Sequence, residues 1–419
     1  MSLNPLADAR PIVSALRGHR SAVVLLALEI ALTLAVLCNL VFIVSGTLQR
    51  ARMPTGADED NIGLIQSIGV IGEDNPGNAG SNLATLQAVP GVRSAAFGMA
   101  PLLGVSRAGL FLQPDTQQAN AQAYLFAGSQ GMNRTLGVRV IEGRDIRDDE
   151  IPGLRELFGD DSAPATKVAS RQLPALLTRS LASRLFPGKS ALGGILYTSL
   201  WGYPISLRVV GVIDQLRGEI TGHPDDEDAV LAEFGVASEG LGGSYMIRSQ
   251  PGQLQQVLPL AAKAMQQANP GHVQQQVRTM AELRADTFKN DRAIARMLVA
   301  IMLVLLVVTA LGVGGLASFW VQQRTKQIGI RRALGATRAD ILRYFQLENF
   351  LIVGGGVVLG ALLAFALNQW LMHRFELDRL TSPTVLTGIV AVWLLGQLAV
   401  LGPALRAASV PPVAATRSA

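Results

Sequence analysis

Four stretches of the chain stay apolar for longer than the core of a folded domain requires. Residues 21–48 carry one charge, Glu29, while 297–323, 350–372 and 381–405 carry none. Roughly 20 mostly apolar residues cross the hydrocarbon of a bilayer, so each stretch predicts a transmembrane helix. The first is too long for the apolar part of a cleavable leader, and no small-residue cleavage site follows it; it reads as a span that is retained. Between 49 and 291 the pattern changes to short runs with punctuation, which predicts one large α+β domain between the first two spans.

Within that domain, 61–71 reads as a strand, 82–88 as a helix, and 91–97 as a strand after the Pro90-Gly91 turn. Further on, 205–213 and 244–248 read as strands and the Gln-rich 253–268 as a helix. These pieces predict a βαβ-type layer from 60–100 and 205–278, interrupted by an inserted subdomain at 101–204. Two acidic stretches, 145–161 and 225–243, read as exposed loops. Thr279-Met280-Ala281-Glu282 is a capping box, and no glycine or proline follows until Gly312. One helix from Met280 through the second span is therefore expected, roughly 60 Å long, with 279–296 as a stalk.

Composition agrees with a membrane protein. The 419 residues are 49% hydrophobic and only 16% charged, against about 25% in soluble domains. Disorder is excluded by the apolar content. A disulfide scaffold is excluded because Cys38 has no second cysteine to pair with. The net charge of +5 is unevenly spread: 50–291 holds 21 Lys+Arg and 25 Asp+Glu, leaving 15 and 6 for the rest. The basic surplus flanks the spans, which argues for a membrane face and against nucleic acid. Arg10, Arg17 and Arg20 precede the first span. Arg324, Lys326, Arg331, Arg332, Arg338 and Arg343 lie between the second and third. Both termini are therefore expected in the cytoplasm and 49–291 outside. Arg50, Arg52, Arg292 and Arg296 then read as residues snorkelling to the outer headgroups.

Catalytic chemistry finds no support. Gly188-Lys189-Ser190 resembles the end of a phosphate loop, but Ser183 stands where the first glycine belongs. Phe186-Pro187-Gly188 reads instead as a turn after a helix at 180–185, and Gly240 to Gly243 as a plain glycine-rich loop. His19, His223, His272 and His373 are scattered, and no metal-ligand spacing occurs. Asp225-Asp226-Glu227-Asp228 is read as a solvated acidic loop in preference to a cation site. Glu29 is a functional candidate because a carboxylate in a membrane is expensive; the plainer alternative is an arginine or interfacial water two turns from the cytoplasmic end. Gly356 and Gly360, with Gly354 and Gly355 adjoining, have the spacing of close helix packing.

The most informative stretch is 324–341, Arg-Thr-Lys-Gln-Ile-Gly-Ile-Arg-Arg-Ala-Leu-Gly-Ala-Thr-Arg-Ala-Asp-Ile. It predicts a short basic helix ending at Leu334, a left-handed Gly335 at the position after the cap, and a restart with Thr337 as N-cap and Asp340 at its third position. Such a helix would lie across the inner membrane face, offering Ile328, Ile330 and Leu334 to a groove; the alternative is a lipid-binding interfacial helix.

This stretch resembles the coupling-helix region of MacB/FtsX-type ABC transporter permeases, R-x-x-E-I-G-I-R-R-A-L-G-A-T-x-x-D-I. Gln327 stands where the family has glutamate, so no salt bridge to an ATPase is expected there. Residues 403–408 and 411–417 resemble the family's C-terminal P-A-x-R-A-A-x-x-x-P-V-x-A-L-R, with Thr416 in place of leucine; 138–146 and 180–194 resemble two further family segments. The layout of one span, a large domain and three spans is also the family's, and the resemblance implies that the outside domain is a porter-like layer carrying the 101–204 insert. The resemblance implies a non-catalytic permease that works as a dimer of identical or related chains. It binds no cofactor directly; ATP and Mg would be used by a cytoplasmic ABC ATPase subunit docking on Lys326, Gln327, Ile328, Gly329, Ile330, Arg331, Arg332, Ala333, Leu334, Gly335, Ala336 and Thr337. It further implies mechanotransmission to the outside domain in a bacterial inner membrane. The expected function is export of a peptide, drug or lipoprotein-like substrate, with a periplasmic adaptor and outer-membrane channel as further partners. The alternative is an FtsX-like scaffold that activates an extracytoplasmic cell-wall enzyme.

Overall fold

The structure is a computed structural model and describes residues 20–68, 78–114, 116, 118–153, 172–200, 203–235, 244–270, 273–375 and 382–409. The tail at 1–19, the glycine-rich 240–243, His272, residues 376–380 between the third and fourth apolar stretches and the 411–417 motif lie outside them. In chain order the helices are α1 (Arg20–Arg52), α2 (Asn78–Gln87), α3 (Met132–Leu136), α4 (Arg179–Leu185), α5 (Leu254–Ala268), α6 (Met280–Thr287), α7 (Lys289–Gln323), α8 (Thr325–Ala333), α9 (Arg338–Phe375) and α10 (Ser382–Ser409). The strands are β1 (Ile62–Ile68), β2 (Val92–Gly98), β3 (Arg107–Leu110), β4 (Ala121–Gly128), β5 (Val140–Gly143), β6 (Gln172–Thr178), β7 (Ile195–Leu200), β8 (Tyr203–Ile213), β9 (Ala229–Glu233), β10 (Ser244–Ser249) and β11 (Val273–Thr279). The chain divides into a mixed α/β unit, Gln49–Asn290, and a helical unit containing the rest.

In the mixed unit β1-α2-β2 and β10-α5-β11 form a split β-α-β sheet. Its order is β11-β1-β10-β2 with every neighbour antiparallel, a ferredoxin-like arrangement. Side chains alternate across it as a pleated strand demands. Ile65, Ala95, Phe97, Tyr245 and Ile247 pack under α2 and α5, while Ile62, Leu64, Ala96 and Met246 face α3 and α6. A second half continues the sheet as β4-β9-β6-β8-β5, with β3 on β4 and β7 on β8. β2 meets β4 through one pair, Gly98 opposite Gly128.

The pairing moves the expected subdomain boundary. β8 was placed with the first layer, yet it pairs with β5, β6 and β7, and its register against β7 opposes Leu200 to Tyr203 across a two-residue connection. The inserted part therefore runs on through β9. The acidic run at 225–228 is likewise not a solvated loop. Asp226 and Asp228 are buried; Asp226 accepts from the Thr221 and Gly222 amides, both at 2.6 Å. Arg184 pairs with Asp225 at 2.6 Å and Asp228 at 2.8 Å, Ser180 donates to Asp228, and Glu227 pairs with Arg217. Each carboxylate has a protein partner, Arg184 serving two of them, and among the described residues no group of His, Cys, Asp or Glu could hold a metal ion.

The expected continuous stalk helix is broken at one residue. The capping box forms in both directions, Glu282 N to Thr279 Oγ1 at 3.1 Å and Thr279 N to Glu282 Oε2 at 2.8 Å. However, α6 stops at Thr287, and Met280, Leu283 and Phe288 are core residues of the mixed unit. Burial of Phe288 ends the helix where no glycine or proline announced it. Arg284 adds a clasp: its Nε and Nη2 each lie 2.6 Å from a Glu59 carboxylate oxygen, and Nη1 donates to the Ala51 carbonyl at 3.2 Å. Burial alone would raise the Glu59 carboxyl, but hydrogen bonds from Arg284 and Thr55 hold it below its ordinary value. The Arg50 guanidinium, expected at the outer headgroups, donates to the Thr221 carbonyl at 3.1 Å.

Glu233, at the end of β9, accepts from the Gly131 and Asn133 amides, each at 2.9 Å. Burial nevertheless pushes its carboxyl up to about 7, with Asp145 adding to the rise and Arg134 opposing it. Between the ordinary glutamate range and 7 the folded chain holds a proton that the unfolded chain has lost. Stability from this site is therefore complete below that range and is lost as pH rises through 7. Melting of the full chain in detergent should fall between about pH 5 and about pH 7 and level off above that, and Glu233→Gln should flatten that slope. An unchanged slope in the variant would assign the pH dependence elsewhere.

In the helical unit α1, α7, α9 and α10 are each long and apolar enough to cross a membrane. α1 is central: Leu26, Ile30, Leu34, Leu37 and Cys38 are buried. α7 is the most open, with Leu303, Val304, Val307, Val308 and Leu311 exposed, the surface a spanning helix offers to lipid or another spanning helix.

Candidate coupling site

α8 hangs between the two longest helices. Beyond its cap residue Leu334, Gly335 takes φ +100°. The Gly335 amide donates to the Arg332 carbonyl and the Ala336 amide to the Arg331 carbonyl, both at 3.1 Å. These are the two bonds of a Schellman closure, which uses the left-handed residue to satisfy carbonyls a helix end would orphan. Thr337 then restarts the chain: Asp340 N to Thr337 Oγ1 is 3.2 Å and Thr337 N to Asp340 Oδ2 is 3.0 Å. Seven residues thus stop one helix, turn the chain and begin the next, with few free torsions.

The twelve residues expected to meet an ATPase separate into two faces. Ile328 and Gly329 are buried, Ile328 in the core of the helical unit, so Ile328 is not available to a groove. Arg332 Nη1 donates to the Ala408 carbonyl on α10 at 3.3 Å, and the Arg331 guanidinium lies 4.9 Å from the Tyr344 ring centre on α9. Lys326, Gln327, Ile330, Ala333, Leu334, Gly335 and Thr337 are exposed, as is Arg331 despite its contact with Tyr344, and Ala336 is part-buried. Leu334 is 83% exposed and Ile330 48%. One helical turn apart, they make an apolar pair on an otherwise polar surface.

Among the described residues, Glu29 has no arginine partner. Its carboxylate lies over Gly312 of α7, where an added Cβ would stand 2.5 Å from Oε1. One turn along, the hydroxyls of Thr33 and Thr309 bond at 2.8 Å. Gly356 and Gly360 lie against α1: a Cβ on Gly356 would be 2.9 Å from the Ala27 carbonyl oxygen, and one on Gly360 2.8 Å from that of Ala31. In the mixed unit, Gly188-Lys189-Ser190 is a turn, with the Lys189 amide bonded to the Phe186 carbonyl at 3.1 Å. An open cleft of about 470 Å³ in the same unit, to which none of these three residues contributes, is lined by Arg179, Ser180, Ser183, Asp214, Gln215 and Glu227; its Arg179 and Asp214 neutralise each other at 2.8 Å.

Sequence reasoning passed over Arg324, Tyr344, Glu348 and Asn349 as contributors to this site. The available signal was Glu348, a carboxylate immediately ahead of the uncharged third span.

Residues 299–412 match the family model described as FtsX-like permease C-terminal. The macrolide export ATP-binding/permease protein MacB of Rhodospirillum rubrum is 30% identical over 60% of this chain and 39% of that protein. The ABC transporter permease YknZ of Bacillus subtilis is 26% identical over 58% of this chain and 61% of that one. The chain therefore spans less than two thirds of these curated relatives. Among solved structures, the periplasmic region of MacB from Actinobacillus actinomycetemcomitans aligns over 55% of this chain and 94% of its own, at 12% identity and a TM-score of 0.33. The extracellular domain of YknZ aligns over 52% and 100%, at 15% and 0.32. The FtsX-like match covers three of the four spanning helices and the α8 turn, and together with these relatives it makes the chain similar to ABC transporter permeases of MacB/FtsX type.

Proposed function

We propose that this permease carries force between a cytoplasmic ABC ATPase subunit and its mixed α/β domain on the opposite side of the membrane, exporting a substrate of peptide, drug or lipoprotein-like kind. The observation that carries the reading is the presentation of α8. Its inner face is held by Ile328, Arg331 and Arg332, while Lys326, Gln327, Ile330 and Leu334 face outward on a rigid turn. The ATPase supplies ATP and Mg chemistry; no residue of this chain is assigned to it. A second permease chain completes the transporter. Relatives named as macrolide and pyoverdine exporters favour export, and an adaptor with an outer-membrane channel fits that direction.

The test is co-purification with the ATPase and measurement of ATP turnover. The permease alone should hydrolyse nothing, and the wild-type pair should hold together through α8. Gly335→Val meets the left-handed penalty of about 1–2 kcal/mol, so association or coupled turnover should fall roughly five- to thirtyfold with membrane insertion unchanged. Gly335→Asn, which tolerates that region, should lose less. Nothing lies within 4 Å of a Cβ at this position, so the backbone alone sets the penalty. Equal behaviour of all three proteins would remove α8 from the coupling path.

A further inference from the structure

The two joints of α8 are built from different materials. The C-terminal joint is backbone, the Schellman closure at Gly335. At the N-terminal joint, Arg324 sits between α7 and α8 with φ −98° and ψ 7°. Its amide bonds the Trp320 carbonyl at 3.1 Å, and its own carbonyl accepts from Ile328 at 2.9 Å. The main chain thus bends here while keeping its hydrogen bonds, a geometry that can flex. What spans the bend is a side chain: Arg324 Nη1 lies 3.0 Å from both carboxylate oxygens of Glu348 on α9.

The side chains are only 15% and 3% exposed. A pair buried this deeply costs desolvation that an apolar pair of the same volume would not, so its use is in fixing one arrangement more than in stability. The next residue continues the connection, Asn349 Nδ2 donating to the Gly396 carbonyl on α10 at 2.9 Å. A cavity of about 20 Å³ adjoins the pair, lined by Leu26, Trp320, Phe345, Glu348, Asn349 and Val400 among others; that is room for one water. All four spanning helices therefore converge where the α8 bend is braced.

We propose that Arg324 and Glu348 are the positioning pair that makes α8 move as one body with α9, so that load on the outward face of α8 reaches the third span and is not lost by bending at 324. This rests on the reading of α8 as the ATPase-docking helix. Neither residue is part of the outward face, so the pair acts after docking.

The test uses the full chain with its ATPase partner in lipid nanodiscs, spin-labelled at Ala333→Cys and His373→Cys to report the position of α8 against the far end of α9. Glu348→Ala should broaden the distance distribution and cut coupled ATP turnover roughly tenfold, with ATPase affinity changed by less than about threefold. Glu348→Gln, of the same shape but uncharged, should do the same more mildly if Ala expresses poorly. The exchange Arg324→Glu with Glu348→Arg should recover a narrow distribution and turnover to within about threefold. An unchanged distribution in Glu348→Ala or Glu348→Gln would overturn the proposal. So would loss of affinity and turnover by the same factor, since the pair would then only shape the docking face. If the wild-type chain holds no ATPase, the docking reading fails, yet the distances measured on the permease alone still decide whether the pair locks α8 to α9.

Discussion

Gly98→Val is expected to separate the two halves of the sheet. The halves share one residue pair, Gly98 opposite Gly128, and there the strands are close enough for neither to carry a side chain. A Cβ on Gly98 would stand 2.7 Å from the Gly128 Cα and 2.8 Å from the Ala127 carbonyl oxygen. Both are backbone atoms of a buried strand, so no rotamer change relieves the clash. Overpacking of this kind costs about 1–3 kcal/mol, sometimes more, and rigid neighbours place this site at the upper end. Amide exchange on the full chain in detergent should show protection of 92–98 and 121–128 reduced roughly a hundredfold. Gly63→Ala is the control. Its Cβ would also be crowded, at 2.6 Å, but by the Leu258 side-chain tip, with Leu254 next. Those tips can move, so the effect should be several times smaller. Equal losses at the two positions would mean that the Gly98–Gly128 contact is no special joint.

How much of this was legible beforehand depended on the range over which each signal acts. The spans, the Thr279 capping box, the Gly335 turn and the Thr337 restart depend on neighbours within a few residues, and the sequence reading of each matches the structure. The strands at the two ends of the mixed domain were legible for the same reason. β8 was recognised as a strand but given the wrong partners, because nothing local says which sheet half a β-rich run joins. Asp226 and Asp228 read as solvated because four consecutive acidic residues look like a loop; their burial follows from Arg184, Ser180 and the Thr221–Gly222 amides, which are distant or backbone groups. The break at Phe288 is also tertiary, since a phenylalanine is an ordinary helix residue until a core claims it. At the coupling site, the turn was written in the sequence, but the division of α8 into held and presented faces was not. That division depends on Tyr344, Glu348 and Ala408, up to 76 residues away in the chain.

The run Gly354-Gly355-Gly356 offers the sharpest contrast among single substitutions in the membrane. Three adjacent glycines look alike in sequence, yet they face different surroundings. Nothing lies within 4 Å of a Cβ at Gly354 or Gly355. At Gly356 the Cβ would be 2.9 Å from the Ala27 carbonyl oxygen and from Ile30 Cβ; at Gly360 it would be 2.8 Å from the Ala31 carbonyl oxygen and 2.9 Å from Leu34 Cβ. Lipid gives helices no hydrophobic reason to associate, so their contact depends on close backbone approach, which small residues permit. α1 is the central helix of this unit, and forcing it away from α9 would also open the contacts around Ile30 and Leu34. Gly356→Leu and Gly360→Leu should therefore lower the melting temperature and the monodisperse yield in detergent severely. Gly354→Leu and Gly355→Leu should leave both near wild type, since they add apolar surface where there is room. A cysteine pair at Ala27 and Gly356 should cross-link readily in the wild-type packing and lose that reactivity in Gly360→Leu. If all four leucine variants behave alike, the α1–α9 seam is not held by these two glycines, and the helices must be kept together by contacts elsewhere along their length.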